Sequence, residues 1–160
     1  EMFPQKNDLL LSSLRPFYSK NYISHLQEKL SPDIAEKVSF PGMIPRPQLI
    51  DRFFNADIFV FPSLWDEGFG LPPLEAMAAG TPVVATRSGA VVETVQDGKT
   101  GFLVEKNDAP ALATSILRLL ENDALRESMS QAARQRAWEY FTWDRTADMM
   151  LQLFETLCEC

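Results

Sequence analysis

The chain has 160 residues, 46% of them apolar and 11% aromatic, which is enough to bury the core of one globular domain. Its net charge of −7 argues against a nucleic-acid partner, because the basic residues are scattered and form no patch that could contact phosphates. No apolar run approaches the roughly 18 residues of a membrane span and no signal-peptide pattern opens the sequence, so a soluble, cytoplasmic protein is expected.

Strands alternate with helices along the sequence. The first predicted elements are a strand at 8–14, a helix at 22–37 broken near Pro32, a strand at 38–41, a helix at 48–55, a strand at 58–61, a helix at 72–79 and a strand at 83–86. A helix at 91–95, a strand at 102–104 and helices at 111–121, 124–140 and 143–159 follow. The pattern predicts one α/β domain over residues 1–160, with a Rossmann-like parallel sheet, helices on both of its faces and C-terminal helices wrapped around it.

The central stretch, residues 57–86, reads as strand, loop, helix and strand. Its loop enters the helix through Pro72 and Pro73, which mark a helix start. Free backbone N–H groups and the positive end of the helix dipole should point into the loop, where Gly68 and Gly70 leave room for an anion. The loop therefore suits a phosphate group.

Two carboxylates bracket this loop, Glu67 and Glu75, with seven residues between them. A carboxylate beside an anion site can accept the hydrogens of a vicinal diol such as that of a ribose, and phosphate plus diol indicates a nucleotide. The local alternatives are that Glu75 is a first-turn acid favoured by the helix dipole and that Glu67 is an ordinary loop acid.

The string E-G-F-G-L-P-P-L-E followed by A-M-A-A-G-T-P-V-V-A-T resembles the donor-binding core of glycosyltransferase family 4 (group 1), whose members are retaining enzymes of the GT-B fold. The resemblance runs over residues 38–154 and includes V-S-F-P-G, A-D-I-F-V-F-P-S and the late F-T-W-D. It implies that the chain is the C-terminal, donor-binding domain of such an enzyme without its N-terminal part. The N-terminal domain would bind the acceptor, which is a glycan, a lipid or a small molecule.

The resemblance also implies roles for individual residues. Glu75 would bind the ribose and Glu67 the transferred sugar, which makes Glu67 the catalytic candidate. Backbone N–H groups would contact the sugar and the diphosphate at Gly68, Phe69, Gly70 and Leu71. The family's G-G pair after the second core strand is Gly89-Ala90 here, so one glycine is replaced.

Other candidates come from the ends of the predicted strands, where ligands bind in open α/β sheets. The Gly42, Glu67 and Ser88–Gly89 loops should converge there, which adds Gly42, Met43 and Ser63 as candidate binding residues. Arg15 and Lys20 have the five-residue spacing of the family's diphosphate-binding pair. However, the 17 residues between Lys20 and Val38 are too few for the strand and helix that normally intervene, so the strand before Arg15 matches the family's second strand better than its first.

No metal or cofactor is expected, because the sequence has no D-x-D triplet and the two cysteines near its end, Cys158 and Cys160, are too few for a zinc site. The leading interpretation is a metal-independent transferase domain whose ligand is a nucleoside-diphosphate sugar, in a full-length enzyme peripheral to the inner face of the membrane. The alternative is a nucleotide-diphosphate-binding module that performs no transfer by itself.

Overall fold

The computed structural model describes residues 20–158, and the side chains from residue 23 onward. The chain divides into two compact units, Glu1–Ile44 and Pro45–Cys160, each of which is described by itself. The predicted strand at 8–14 and the side chains of Arg15 and Lys20 lie outside the described residues. The assignment of residues 1–160 to one domain stays a prediction.

The first unit contains the helices α1 (Lys20–Glu28) and α2 (Pro32–Ala35), so the helical pattern is interrupted before Pro32 as predicted. The strand predicted at 38–41 is wrong, because these residues form no strand. The Val38 N–H donates back to the Ala35 carbonyl at 3.3 Å, as in a turn, and 40% of Val38 is exposed. An apolar run becomes a strand only where a neighbouring strand satisfies its backbone groups.

The second unit alternates strands and helices in the predicted order. Its elements are α3 (Arg46–Asn55), β1 (Phe59–Phe61), α4 (Leu71–Ala79), β2 (Val83–Thr86), α5 (Val91–Thr94), β3 (Gly101–Val104), α6 (Ala109–Leu120), α7 (Asp123–Tyr140) and α8 (Trp143–Cys158). Asp108 is the N-cap of α6, since its carboxylate accepts a hydrogen bond from the Ala111 N–H at 2.9 Å.

The three strands form a parallel sheet in the order β1-β2-β3, with Val83 opposite both Phe59 and Gly101. The central strand β2 is fully buried, and its residues alternate between two cores. Val83 and Ala85 pack in a cluster with residues of α3, α4 and α7, whereas Val84 packs with residues of α6 and α7. Helices therefore cover both faces of the sheet, as predicted.

The prediction that the C-terminal helices wrap the sheet holds for α6 and α7 but is wrong for α8. Helix α6 packs on β2 and β3, and α7 packs on α4 and α6. Every residue of α8 is exposed, including Met150, Phe154 and Leu157 at helical spacing. In the described part of the chain no helix combines the length and apolarity needed to cross a membrane.

Candidate functional site

The loop between β1 and α4 carries Glu67, which is half-buried. The Ser63 hydroxyl donates a hydrogen bond to Glu67 Oε1 at 2.7 Å. Ser63 was predicted as a ligand contact, and in the structure its hydroxyl is engaged by this carboxylate. The direction of the Glu67 side chain is therefore tied to the end of β1.

The loop after β2 packs directly on the Glu67 loop. The Ala90 N–H donates to the Glu67 carbonyl at 3.0 Å, and the Gly89 N–H donates to Asp66 Oδ1 at 3.1 Å. A Cβ at Gly89 would lie 2.2 Å from the Glu67 carbonyl oxygen, and Gly89 has a φ of +51°. The predicted convergence of these two loops is confirmed, and the glycine retained from the family's pair is the one that allows the close approach.

Asp66 and Lys106 add an electrostatic contact between the Glu67 loop and the residues after β3. Lys106 Nζ lies 2.5 Å from Asp66 Oδ1. The hydrogen bond from Lys106, together with the one from the Gly89 N–H, holds the pKa of Asp66 below its usual value of 3.8. The contact between Lys106 and Asp66 therefore contributes its full stabilisation above the usual pKa of an aspartate, and it is lost as the pH falls through the lowered pKa of Asp66.

Helix α4 begins at Leu71, with Gly70 as its N-cap at a φ of +77° and without a side-chain cap. Pro72 and Pro73 have no N–H, so the first turn offers no donor at these two positions. Within the described residues, the backbone N–H groups of 68–71 make no hydrogen bond to the protein. Four consecutive donors thus lie between the two glutamates, beside the positive end of the helix.

Glu75 is the fifth residue of α4 and lies beyond its first turn, which corrects the predicted first-turn position. Because the helix dipole acts mainly within the first turn, it does not explain an acidic residue at position 75. Arg46, at the start of α3, places Nη2 2.8 Å from Glu75 Oε1. The Arg46 side chain is 71% exposed and that of Glu75 31%, so this ion pair is worth about 0–1 kcal/mol.

The side chains of the remaining candidate binding residues make no hydrogen bond or ion pair with Glu67 or Glu75 in the described part of the chain. Phe69 and Leu71 are exposed, and the Phe69 ring meets Phe141 edge to face with centroids 6.3 Å apart. Gly42 and Met43 belong to the first unit, so their part in the site stays a prediction. Over residues 20–158, no three His, Cys, Asp or Glu side chains come together as metal ligands.

Sequence reasoning missed Arg46, which lies 29 positions before Glu75. A lone arginine after Pro45 carries no signal of that partner, because the contact depends on how α3 packs beside α4. Sequence reasoning also named Ser63 as a candidate binding residue but did not predict its hydrogen bond to Glu67. The four-residue spacing in a loop gave no indication that the two side chains meet.

The site lies at the carboxyl ends of the parallel strands of an α/β domain, which is where open α/β sheets bind their ligands. The model of the family described as "Glycosyl transferases group 1" matches residues 20–136. The chain belongs to this family.

The similar proteins include glycosyltransferases from several bacteria. A D-inositol 3-phosphate glycosyltransferase of Corynebacterium urealyticum is 38% identical over 135 residues, which are 84% of this chain and 31% of that protein. A phosphatidyl-myo-inositol mannosyltransferase of Mycobacterium leprae is 35% identical over 78% of this chain and 33% of its own length. The chain thus spans about a third of the length of these relatives.

Solved structures agree with the fold. Sucrose-phosphate synthase from Thermosynechococcus elongatus superposes with a TM-score of 0.75 at 35% identity, covering 87% of this chain and 34% of that one. Anabaena HepE in complex with UDP gives a TM-score of 0.73 at 28% identity, covering 90% of this chain and 38% of that one. These neighbours are GT-B glycosyltransferases, which confirms the predicted α/β class.

Proposed function

We propose that this chain is the donor-binding domain of a retaining, metal-independent glycosyltransferase that uses a nucleoside-diphosphate sugar. The observation that carries the proposal is a row of four N–H groups, at 68–71, that no residue among 20–158 accepts from and that Glu67 and Glu75 flank. Donors suit a diphosphate, and carboxylates suit hydroxyl groups. The complexes of Anabaena HepE with UDP and with UDP-glucose support this ligand class.

In this proposal the two glutamates divide the ligand between them. Glu75 accepts hydrogen bonds from the ribose, and Glu67 orients the transferred sugar. The N–H groups and the N-terminus of α4 stabilise the negative charge that grows on the leaving diphosphate, since preorganised dipoles cost no reorganisation as charge develops. Fixed N–H groups would do the work that a divalent cation does at other diphosphate sites.

The acceptor side belongs to the longer enzyme in this proposal. Because the chain spans about a third of its relatives, we place acceptor binding in an N-terminal domain. We propose a cytoplasmic enzyme, peripheral to the inner face of the membrane. The same short span favours, as a second candidate, a module that binds nucleoside diphosphates without performing transfer alone.

The first test is calorimetric titration of the chain with UDP, GDP and ADP. At least one should bind with a Kd below about 1 mM. The matching free nucleoside and inorganic diphosphate should each bind at least about tenfold more weakly, because each occupies only half of the site. A folded chain that binds none of the three nucleotides would contradict the proposal.

Metal independence is tested on the full-length enzyme that carries this chain. Turnover should change less than about twofold when EDTA is added, since the fixed N–H groups of the donor loop replace a metal. The control is the same assay with excess Mg²⁺ or Mn²⁺, which should give no gain. Loss of activity in EDTA and its recovery with either ion would refute this part of the proposal.

A further inference from the structure

The carboxylate of Glu67 is anchored by one oxygen. Its Oε1 accepts the Ser63 hydroxyl at 2.7 Å, and no other described residue donates to this carboxylate. We propose that Ser63 is a positioning residue, which fixes the rotamer of Glu67 and presents Oε2 to the transferred sugar. The inference rests on the proposed function and assigns Ser63 a role other than direct ligand binding.

The hydroxyl of Ser63 has a single hydrogen and two acceptors within reach. Glu67 Oε1 lies at 2.7 Å, and the Trp65 carbonyl oxygen lies at 3.2 Å. The bond to the ionised carboxylate is the shorter one and is charge-assisted, so it takes the hydrogen. The Trp65 carbonyl belongs to an exposed part of the loop, where water can serve as its donor.

Ser63 is itself held from the neighbouring strand. Thr86, the last residue of β2 and only 3% exposed, donates its hydroxyl to the Ser63 carbonyl at 2.5 Å. The loop after the same strand holds the Glu67 main chain through the Ala90 N–H. Contacts that lead back to β2, the most buried strand of the sheet, therefore hold both the backbone and the side chain of Glu67 in place.

A glutamate that loses this bond regains rotamer freedom, which the ligand must then remove. Ser63→Ala should lower the affinity for a nucleoside-diphosphate sugar about tenfold and change the affinity for the free nucleoside diphosphate less than about twofold. Ser63→Thr keeps the hydroxyl and should restore most of the loss. Ser115→Ala removes a hydroxyl that bonds the Ala111 carbonyl on α6, and it serves as the matched Ser→Ala control.

The experiment is a calorimetric double-mutant cycle on the chain, with UDP, GDP and ADP and with UDP-glucose, GDP-mannose and ADP-glucose as probes. The variants are then titrated with the nucleotide, and the matching nucleotide sugar, that the wild-type chain binds most tightly. If Ser63 acts through Glu67, Ser63→Ala should have less than about a twofold effect in a Glu67→Gln background.

The outcomes separate the two proposals. If the wild-type chain binds its ligands, three results overturn the positioning role alone. Ser63→Ala has no effect, it weakens nucleotide and nucleotide sugar equally, or it keeps its full effect in the Glu67→Gln background. A folded wild-type chain that binds none of the six ligands overturns the proposed function and the positioning role together.

Discussion

Replacing Gly89 with alanine should lower the free energy of unfolding by about 2–5 kcal/mol, the sum of left-handed strain and overpacking. The new Cβ would lie 2.2 Å from the Glu67 carbonyl oxygen and 2.6 Å from the Glu67 nitrogen. Both are backbone atoms, so no side chain can move aside and the two loops must separate. Folded Gly89→Ala protein should therefore also lose affinity for nucleotide sugars. Denaturant unfolding and calorimetry measure the two effects.

Gly98 supplies the matched control for this variant. Its φ of +74° is also left-handed, but a Cβ there would meet no atom within 4 Å. Gly98→Ala should cost only the conformational strain, about 1–2 kcal/mol. Equal losses in the two variants would show that the contact between the loops contributes nothing beyond the backbone conformation.

Replacing Glu75 with glutamine should weaken the binding of nucleoside diphosphate and of nucleotide sugar alike. A hydrogen bond to a charged group is worth about 1.5–3 kcal/mol, which corresponds to about 10- to 150-fold in affinity. Glu67→Gln should leave the affinity for free nucleotide nearly unchanged and reduce turnover in the full-length enzyme, because orientation of the sugar matters most in the transition state. Titration of both variants, combined with steady-state kinetics, tests this division.

Arg46→Met is the control that isolates the ion pair. Like Glu75→Gln, it abolishes the ion pair, but it leaves the carboxylate in place. The loss of nucleotide affinity in Glu75→Gln should exceed that in Arg46→Met by about tenfold. Similar small losses in both variants would show that Glu75 serves only in a surface ion pair. Equal losses of nucleotide affinity in Glu75→Gln and Glu67→Gln would contradict the assignment of Glu67 to the transferred sugar.

Local sequence patterns predicted the buried elements best. Strand β2 was predicted at its observed bounds, because a short apolar run buried on both faces lies between two turn signals. The run at 38–41, V-S-F-P, is also predicted as a strand but forms none, since strand pairing depends on neighbours that the local sequence does not reveal. The same limit applies to α8, whose apolar pattern predicted burial although all its residues are exposed.

For the site, the sequence predicted the loop, both glutamates and the approach of the Gly89 loop. It missed the partners of the carboxylates, because Arg46 and Ser63 reach them only through the folded arrangement. It also placed Glu75 one position too early in its helix, and so within the first turn, since α4 begins one residue before the proline pair and not at it. Helix ends read from a sequence carry errors of this size, and here the error changed the electrostatic interpretation.

The proline pair that removes two donors from α4 also fixes two φ angles of its first turn. This end of the helix, which leads to Glu75, is therefore already ordered before a ligand arrives and loses little conformational entropy on binding. Gly68 lies at the other extreme, because a Cβ there would touch nothing within 4 Å and its backbone has the widest freedom of any residue. Any entropy cost of ordering the loop therefore falls on Gly68 itself, since the Glu67 carbonyl before it is already held by the Ala90 N–H. Under the proposed function, this scaffold would present a preordered helix end to the nucleotide and leave Gly68 as an adjustable position of the loop beside the transferred sugar.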